Sequence, residues 1–295
     1  MPYRLLFLDL DGTLVGREDV VSPRNLAALN AANEAGCTVV ICTGRNRYMV
    51  ERVAAQWTGH GYGIFVNGAV IAEWETGLVL QKIPVPPDVI KIAVDGTRAA
   101  GFGIILFGAH AENDGGRAVY AERGDLHAPW LAINEHRLTL VDDVLSALAP
   151  LSLEGRGAGG DGYPAPIAPV SIGVYGERDR IEQVGAAWRE SVGDSIDIFC
   201  STDLKYQGWC CYANSKLANK AAAAERVARM LNVPREQIMA IGDHINDIDL
   251  LRWAGLGVAM GDAHIDARSA ATHITLPQHE DGVADAIERF VLCRF

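Results

Sequence analysis

The sequence predicts an α/β protein: a parallel-sheet core into which a second, α+β segment is inserted. Three observations predict it. Apolar, β-branched runs alternate with helix-compatible stretches near the N-terminus, and each run stops at polar residues. The alternation breaks off at the proline-rich "PVPPD" and resumes in the last third of the chain. A parallel sheet flanked by helices produces this pattern, because right-handed crossovers bring every strand's C-terminal end to one edge, where the ligands of such sheets bind.

Each element can be justified in turn. "RLLFL" reads as a buried strand, and "SPRNLAALNAANEAG" as a helix with Ser22 at the N-cap, Pro23 in the first turn and Gly36 past the end. "TVVICTGR" is a second strand, followed by a helix from Asn46 to Gln56. "GIFV" is a third, ending at Asn67 and Gly68, and "AVIAEWETGLVLQKI" is a hairpin turning near Glu75 to Gly77.

Between about Pro84 and Asp203 the pattern mixes helices near Asp88–Ala100, Asp142–Ala149 and from Glu177 with the strand-like runs "FGIILFG", "RAVYAE", "PVSIGVY" and "SIDIFC". Within it, residues 154–169 are so rich in Gly and Pro that they read as a loop; no helix start follows directly, as a phosphate cradle would need. The expected division is therefore 1–83 with 204–295 as core and 84–203 as the insert. The last third is read as a helix from Ser215 to Leu231, the strand "QIMAIGD", a helix near Ile245–Trp253, "GLGVAM", a short helix, "THITL" and a terminal helix.

Bulk properties bound the function. With 295 residues, 49% of them hydrophobic, the chain can fill the cores of roughly two domains. A formal net charge of -11 disfavours nucleic acid and acidic membranes as partners, while allowing a small anion held locally. No basic start with an apolar signal core is evident, and no apolar stretch approaches the ~20 residues of a membrane helix, so a cytoplasmic protein is expected. The six cysteines include no CxxC pair and read mainly as small core residues.

Polar residues at the strand ends converge. Asp9, Asp11 and Thr13 follow the first strand; Thr43, Gly44 and Arg45 follow the second; Lys216 or Lys220 sits near a helix start; Asp243, Asn246 and Asp247 lie in "GDHIND". Taken singly, each has a bland explanation: Asp-Gly turns are ordinary, and Asp247 could simply complement a helix dipole. Two carboxylates two residues apart beside an apolar core, however, repel one another and call for a cation.

In combination these segments make the chain resemble a haloacid dehalogenase superfamily phosphatase of the Cof type, with a large cap between its second and third motifs. "DLDGTL", "CTGR", "NGAVI", "NKAAAAERVARMLNV", "GDHIND" and "GVAMGDA" carry the resemblance, which covers the core. It implies a Rossmann-like core with an α+β cap, and a Mg²⁺-dependent phosphatase acting on a small phosphorylated metabolite such as a sugar phosphate. Asp9 would be the nucleophile, Asp11 the general acid and base, and Thr43 and Lys220 would stabilise the transferring group, with Lys216 the alternative lysine. Mg²⁺ would be held by Asp9, the Asp11 carbonyl and Asp243, with Asp247 and Asn246 in or near the second shell; such an ion favours oxygen ligands.

Gly44, Arg45, Asn67 and Asn246 are the remaining candidates for the substrate side. Arg45 contacts either substrate or loop, and Asn67 braces the loops. His244 is read as a solvated loop residue, with pH sensitivity near the metal as the alternative, and Ala221 departs from the Gly frequent in the family after the motif lysine. Substrate choice would rest with cap side chains such as His127, Trp130 or Arg137. The alternatives are a phosphomutase of the same superfamily and, from another class, a non-catalytic metabolite-binding protein.

Overall fold

Leu5–Asp9 forms strand β1 with every residue buried, as expected of a strand covered on both faces. Helix α1, Pro23–Glu34, starts where Ser22 accepts a hydrogen bond from the Asn25 amide. Strand β2 (Thr38–Cys42), the short helix α2 (Glu51–Ala54), and strands β3 (Gly61–Phe65), β4 (Val70–Glu73) and β5 (Val79–Lys82) follow. The helix expected over Asn46–Gln56 is a 3-10 turn, Arg47–Val50, running into α2. Asn46 provides no side-chain cap for it.

The next stretch comprises α3 (Pro87–Ala99), β6 (Ile105–Gly108), β7 (Val119–Glu122), α4 (Ala128–Asn134), β8 (Leu138–Val141), β9 (Pro169–Gly176), α5 (Arg178–Val192), β10 (Ile196–Asp203) and β11 (Gly208–Ser215). The chain then continues through α6 (Lys220–Met230), β12 (Ile238–Gly242), α7 (Ile248–Trp253), β13 (Leu256–Ala259), α8 (Ile265–Ala270), β14 (His273–Ile274) and α9 (Gly282–Ala286). This computed structural model describes residues 2–108, 119–122, 128–134, 138–148, 168–203 and 208–293. His127, Arg137 and positions 154–167 of the Gly/Pro-rich loop lie outside the described residues.

Contacts divide the chain into two units, Met1–Gln81 with Ala218–Phe295, and Lys82–Leu217. The first holds the sheet β14-β13-β12-β1-β2-β3-β4-β5, parallel from β14 to β3 and antiparallel at β4. The second holds the sheet β10-β11-β9-β6-β7-β8, antiparallel except for β7 with β8. Its core joins α3 and α5 to one sheet face through Ile90, Val94, Leu106, Ile172 and Trp188. The Trp188 indole donates to the Ala93 carbonyl and the Thr97 hydroxyl at 3.3 and 3.2 Å, so its burial leaves no orphaned donor.

Four expectations are corrected. Residues 208–215 form a strand, and the helix expected from Ser215 begins at Lys220, capped by Asn219, whose side chain accepts from the Ala222 amide at 2.7 Å. The second unit consequently runs to Leu217. The helix expected over Asp142–Ala149 is a 3-10 turn, Val144–Ala147. Cys200 and Cys211 are joined by a disulfide rather than acting only as small core residues. Trp130 is 1% exposed and stacks on Tyr175 at 4.9 Å, as a packing residue does.

Candidate active site

Sheet register assembles the site. In the β1–β2 pairing Asp9 lies opposite Cys42, and in the β1–β12 pairing Leu8 lies opposite Ile241. Thr43 on one side and Asp243 on the other therefore leave the sheet just beyond Asp9. Asp9, Asp11, Thr43, Gly44, Arg45, Asn67, Lys220, Asp243, Asn246 and Asp247 all belong to the first unit.

Lys220 is at the centre. As the first residue of α6 it is 2% exposed, and its Nζ donates to Asp9 Oδ1 at 2.5 Å and to Asp247 Oδ1 at 2.6 Å. Lys216 is in the other unit, half-exposed, 3.4 Å from Asp194. The geometry thus brings Lys220, not Lys216, to the acids. Asp247 is wholly buried; its second oxygen accepts from the amides of Asp243 and His244 at 3.2 and 3.1 Å. Asp243 receives the Thr13 hydroxyl at 2.8 Å. Gly12 lets Asp243 approach: its φ is +79°, and a Cβ there would meet Asp243 Oδ2 at 2.4 Å.

Electrostatics follow from this packing. Burial pushes the Asp9 carboxyl well up, the Asp247 charge adds to the shift, and Lys220 opposes it. Burial likewise raises Asp243, against the Thr13 hydrogen bond. Burial works against the Lys220 charge, but Asp247 and Asp9 outweigh it and hold the ammonium protonated.

One cation, bonded to Asp9 and Asp247, thus stands beside three carboxylates, one oxygen of each lying within 4.8 Å of the others. That charge deficit, in an all-oxygen donor set backed by the Gly12 cradle, fits a hard divalent cation.

Asp11 is turned differently. Both its oxygens accept from Arg45 Nε, at 3.1 and 2.9 Å, and Arg45 Nη2 pairs with Asp11 and, at 2.6 Å, with Asp19. Asp19 is 3% exposed with φ 56°. Gln56 fixes its loop, donating to the Asp19 carbonyl at 2.7 Å and accepting from the Val21 amide at 2.9 Å.

The remaining candidates form one loop cluster. Thr43 is fully buried; its hydroxyl accepts from the Arg45 amide at 3.0 Å and its carbonyl from the Asn67 amide at 3.1 Å. Asn67 and Val66 both adopt left-handed backbone, costly for a β-branched residue. That turn aims Asn67 Oδ1 at Asn246 Nδ2, 3.0 Å away. A Cβ on Gly44 would meet the same Asn67 oxygen at 3.2 Å.

Sequence reasoning missed Asp19, Gln56 and His264. His264 donates its amide to the Asp243 carbonyl at 2.8 Å, and its ring lies 5.9 Å from that of His244. All three act over long sequence separations, and "GREDVVS" gives no local signal that Asp19 is buried.

Acids and one lysine at the C-terminal edge of a parallel sheet are the arrangement of a hydrolase. The chain belongs to the haloacid dehalogenase-like hydrolase family, whose model matches residues 6–116 and 165–287. It is 28% identical over 302 residues to the phosphatase YwpJ of Bacillus subtilis, covering 98% of this chain and all of that one. It is also 28% identical over 293 residues to 5-amino-6-(5-phospho-D-ribitylamino)uracil phosphatase YcsE of the same organism, covering 98% and 96%. A haloacid dehalogenase-like hydrolase from Bacteroides thetaiotaomicron superposes with a TM-score of 0.75 at 25% identity, over 97% of this chain and 99% of the other.

Proposed function

We propose that this chain is a Mg²⁺-dependent phosphatase that hydrolyses a small phosphorylated metabolite of the sugar-phosphate class through an aspartyl-phosphate intermediate. The observation that carries the proposal is the gathering of Asp9, Asp243 and Asp247, with the buried Lys220 ammonium bonded to Asp9 and Asp247. Its family membership, and relatives named as phosphatases, support the same reading.

Asp9 is the nucleophile: its carboxylate attacks phosphorus in line with the leaving alkoxide and becomes the acyl phosphate. Lys220 keeps one oxygen of Asp9 in place and contributes positive charge beside the transferring group. Thr43, one residue beyond the end of β2, offers its hydroxyl to that group's oxygens, with the Arg45 amide hydrogen bond fixing its orientation. Asp11 protonates the leaving oxygen and then takes a proton from the water that hydrolyses the acyl phosphate, so one side chain serves both half-reactions.

Arg45 sets where the Asp11 carboxylate lies, and Asn67 and Asn246 tie the loops that border the substrate. Asp9, Asp243 and the Asp11 carbonyl would hold the Mg²⁺, with Asp247 behind them. When bound, the ion supplies charge neutralisation for the phosphoryl oxygens. The inserted unit acts as the cap that selects the substrate and excludes water, and the enzyme works in the cytoplasm.

A panel of phosphorylated metabolites assayed for inorganic phosphate release with Mg²⁺, against Asp9→Asn as control, tests the proposal. Turnover of at least one phosphate monoester, abolished in a folded Asp9→Asn protein, is expected. Retained turnover in that variant would remove Asp9 from the role of nucleophile.

A further inference from the structure

The second unit contains a cysteine pair that the phosphatase chemistry does not use. Cys200 on β10 and Cys211 on β11 are register partners, with Cα atoms 4.1 Å apart and the sulfurs bonded. In antiparallel sheets the close pairing is the one without mutual backbone hydrogen bonds, where side chains on one face approach most nearly. Among the described residues β10 is the edge strand of its sheet, so the bond fastens that edge to its neighbour β11.

Two features of α5 are built around this pair. Gly185 interrupts a helix in which any other ordinary residue would be more favourable, and a Cβ there would meet Cys200 Sγ at 2.4 Å and Cys211 Sγ at 2.9 Å. One turn later, Arg189 Nη2 lies 3.7 Å from Cys200 Sγ. The two sulfurs differ in access: Cys200 is half-buried and Cys211 has no exposed surface. The neighbouring Cys210 lies on the opposite face of the strand, since successive side chains alternate.

We propose that Cys200 and Cys211 are a reversible thiol–disulfide site, oxidised by a low-molecular-weight disulfide of the glutathione type that enters at Cys200. Arg189 favours the Cys200 thiolate, and access favours the same sulfur. This thiolate attacks one sulfur of the small disulfide, forming a mixed disulfide and releasing one small thiolate, which takes up a proton. Cys211 then gives up its proton and attacks Cys200 Sγ, expelling the second small thiol. The two protein thiols are oxidised to the bridge and the small disulfide is reduced to two thiols, so atoms and electrons balance. Gly185 leaves the space the bridge occupies. The proposal is independent of the phosphatase reading.

The test equilibrates the full chain in glutathione buffers from reducing to oxidising, followed by acid quenching, alkylation and peptide mass mapping. We expect a reversible 200–211 linkage, with two of the six cysteines becoming resistant to alkylation as the buffer becomes oxidising. Cys211→Ser should accumulate mixed disulfide at Cys200 at least about tenfold faster than Cys200→Ser does at Cys211. Gly185→Ala should require a more oxidising buffer for half-formation. Absence of the linkage at the most oxidising buffer, linkage through Cys210 instead, equal adduct rates in the two serine variants, or an unmoved midpoint in Gly185→Ala would each overturn the proposal. The wild-type titration needs no variant to fold.

Discussion

Replacing Lys220 by Met removes the one ammonium that Asp9 and Asp247 share among the described residues. The three side chains are 1%, 7% and 0% exposed, so water cannot take over the lost contacts. Two charge-assisted hydrogen bonds, at 2.5 and 2.6 Å, disappear, each worth about 1.5–3 kcal/mol. Relief of the buried ammonium's own desolvation offsets part of that loss. Stripping one partner from a buried pair costs about 3–5 kcal/mol, which is the destabilisation expected for Lys220→Met in chelator at neutral pH.

The pH dependence has a definite sign. Burial raises Asp9 in the folded state, and without Lys220 the shift grows. A group raised on folding stabilises fully below its unfolded pKa, about 4 for a carboxylate, and that contribution is lost as pH rises through the folded value. The gap between variant and wild type should therefore narrow as pH falls from neutrality toward the unfolded carboxylate value of about 4. Urea unfolding followed by tryptophan fluorescence reads it, since Trp253 packs edge-on against Phe7 of β1 at 6.0 Å. A Lys220→Met protein within about 1 kcal/mol of wild type at pH 7 would refute the reasoning, because it would mean that the acids were never dependent on this cation.

Two further outcomes follow from the same geometry. Mg²⁺ at a hundred times its dissociation constant should stabilise the protein by about 2.7 kcal/mol, a rise of several degrees in Tm, and Asp243→Asn should abolish the rise; an equal rise in the variant would move the ion elsewhere. Asp19→Asn removes a carboxylate from Arg45 and should lower kcat by about tenfold with little change in KM, because it disturbs the placement of Asp11 rather than ground-state binding. An unchanged kcat would leave Asp19 a purely structural residue.

How legible the protein was depends on the range of the interactions. The first helix was readable because Ser22 and Pro23 act on their own neighbours, and β1 because five consecutive apolar or site residues have one explanation. The start of α6 was misplaced for a local reason. The Ser215 hydroxyl accepts from the Leu217 amide at 3.4 Å, a short turn that mimics a helix start, whereas the true cap is Asn219. The acids of the site were named through the resemblance that "DLDGTL" and "GDHIND" carry, but not what holds them: the Arg45–Asp19 pair and the His264 contact to Asp243 connect loops that only the sheet brings together. Cys200 and Cys211 pair through strand register, which no count of cysteines reveals.

The unbalanced charge of the site bears on ligand binding as well as on stability. A phosphate ester approaching Asp9 brings negative charge to a place where three carboxylates gather and one ammonium, Lys220, pairs with two of them. The repulsion is strong because Asp9 and Asp247 are buried, where charges are poorly screened. Binding of inorganic phosphate should accordingly be weak in chelator and strengthen by at least about tenfold with Mg²⁺, a coupling of about 1.4 kcal/mol between the two ligands. By reciprocity, phosphate must tighten Mg²⁺ by the same factor. Asp9→Asn, with one charge fewer, should bind phosphate in chelator more tightly than wild type. Isothermal titration of each ligand in the presence and absence of the other measures both factors. Equal phosphate affinity with and without Mg²⁺, in wild type and variant alike, would show that the acids do not govern entry to the site.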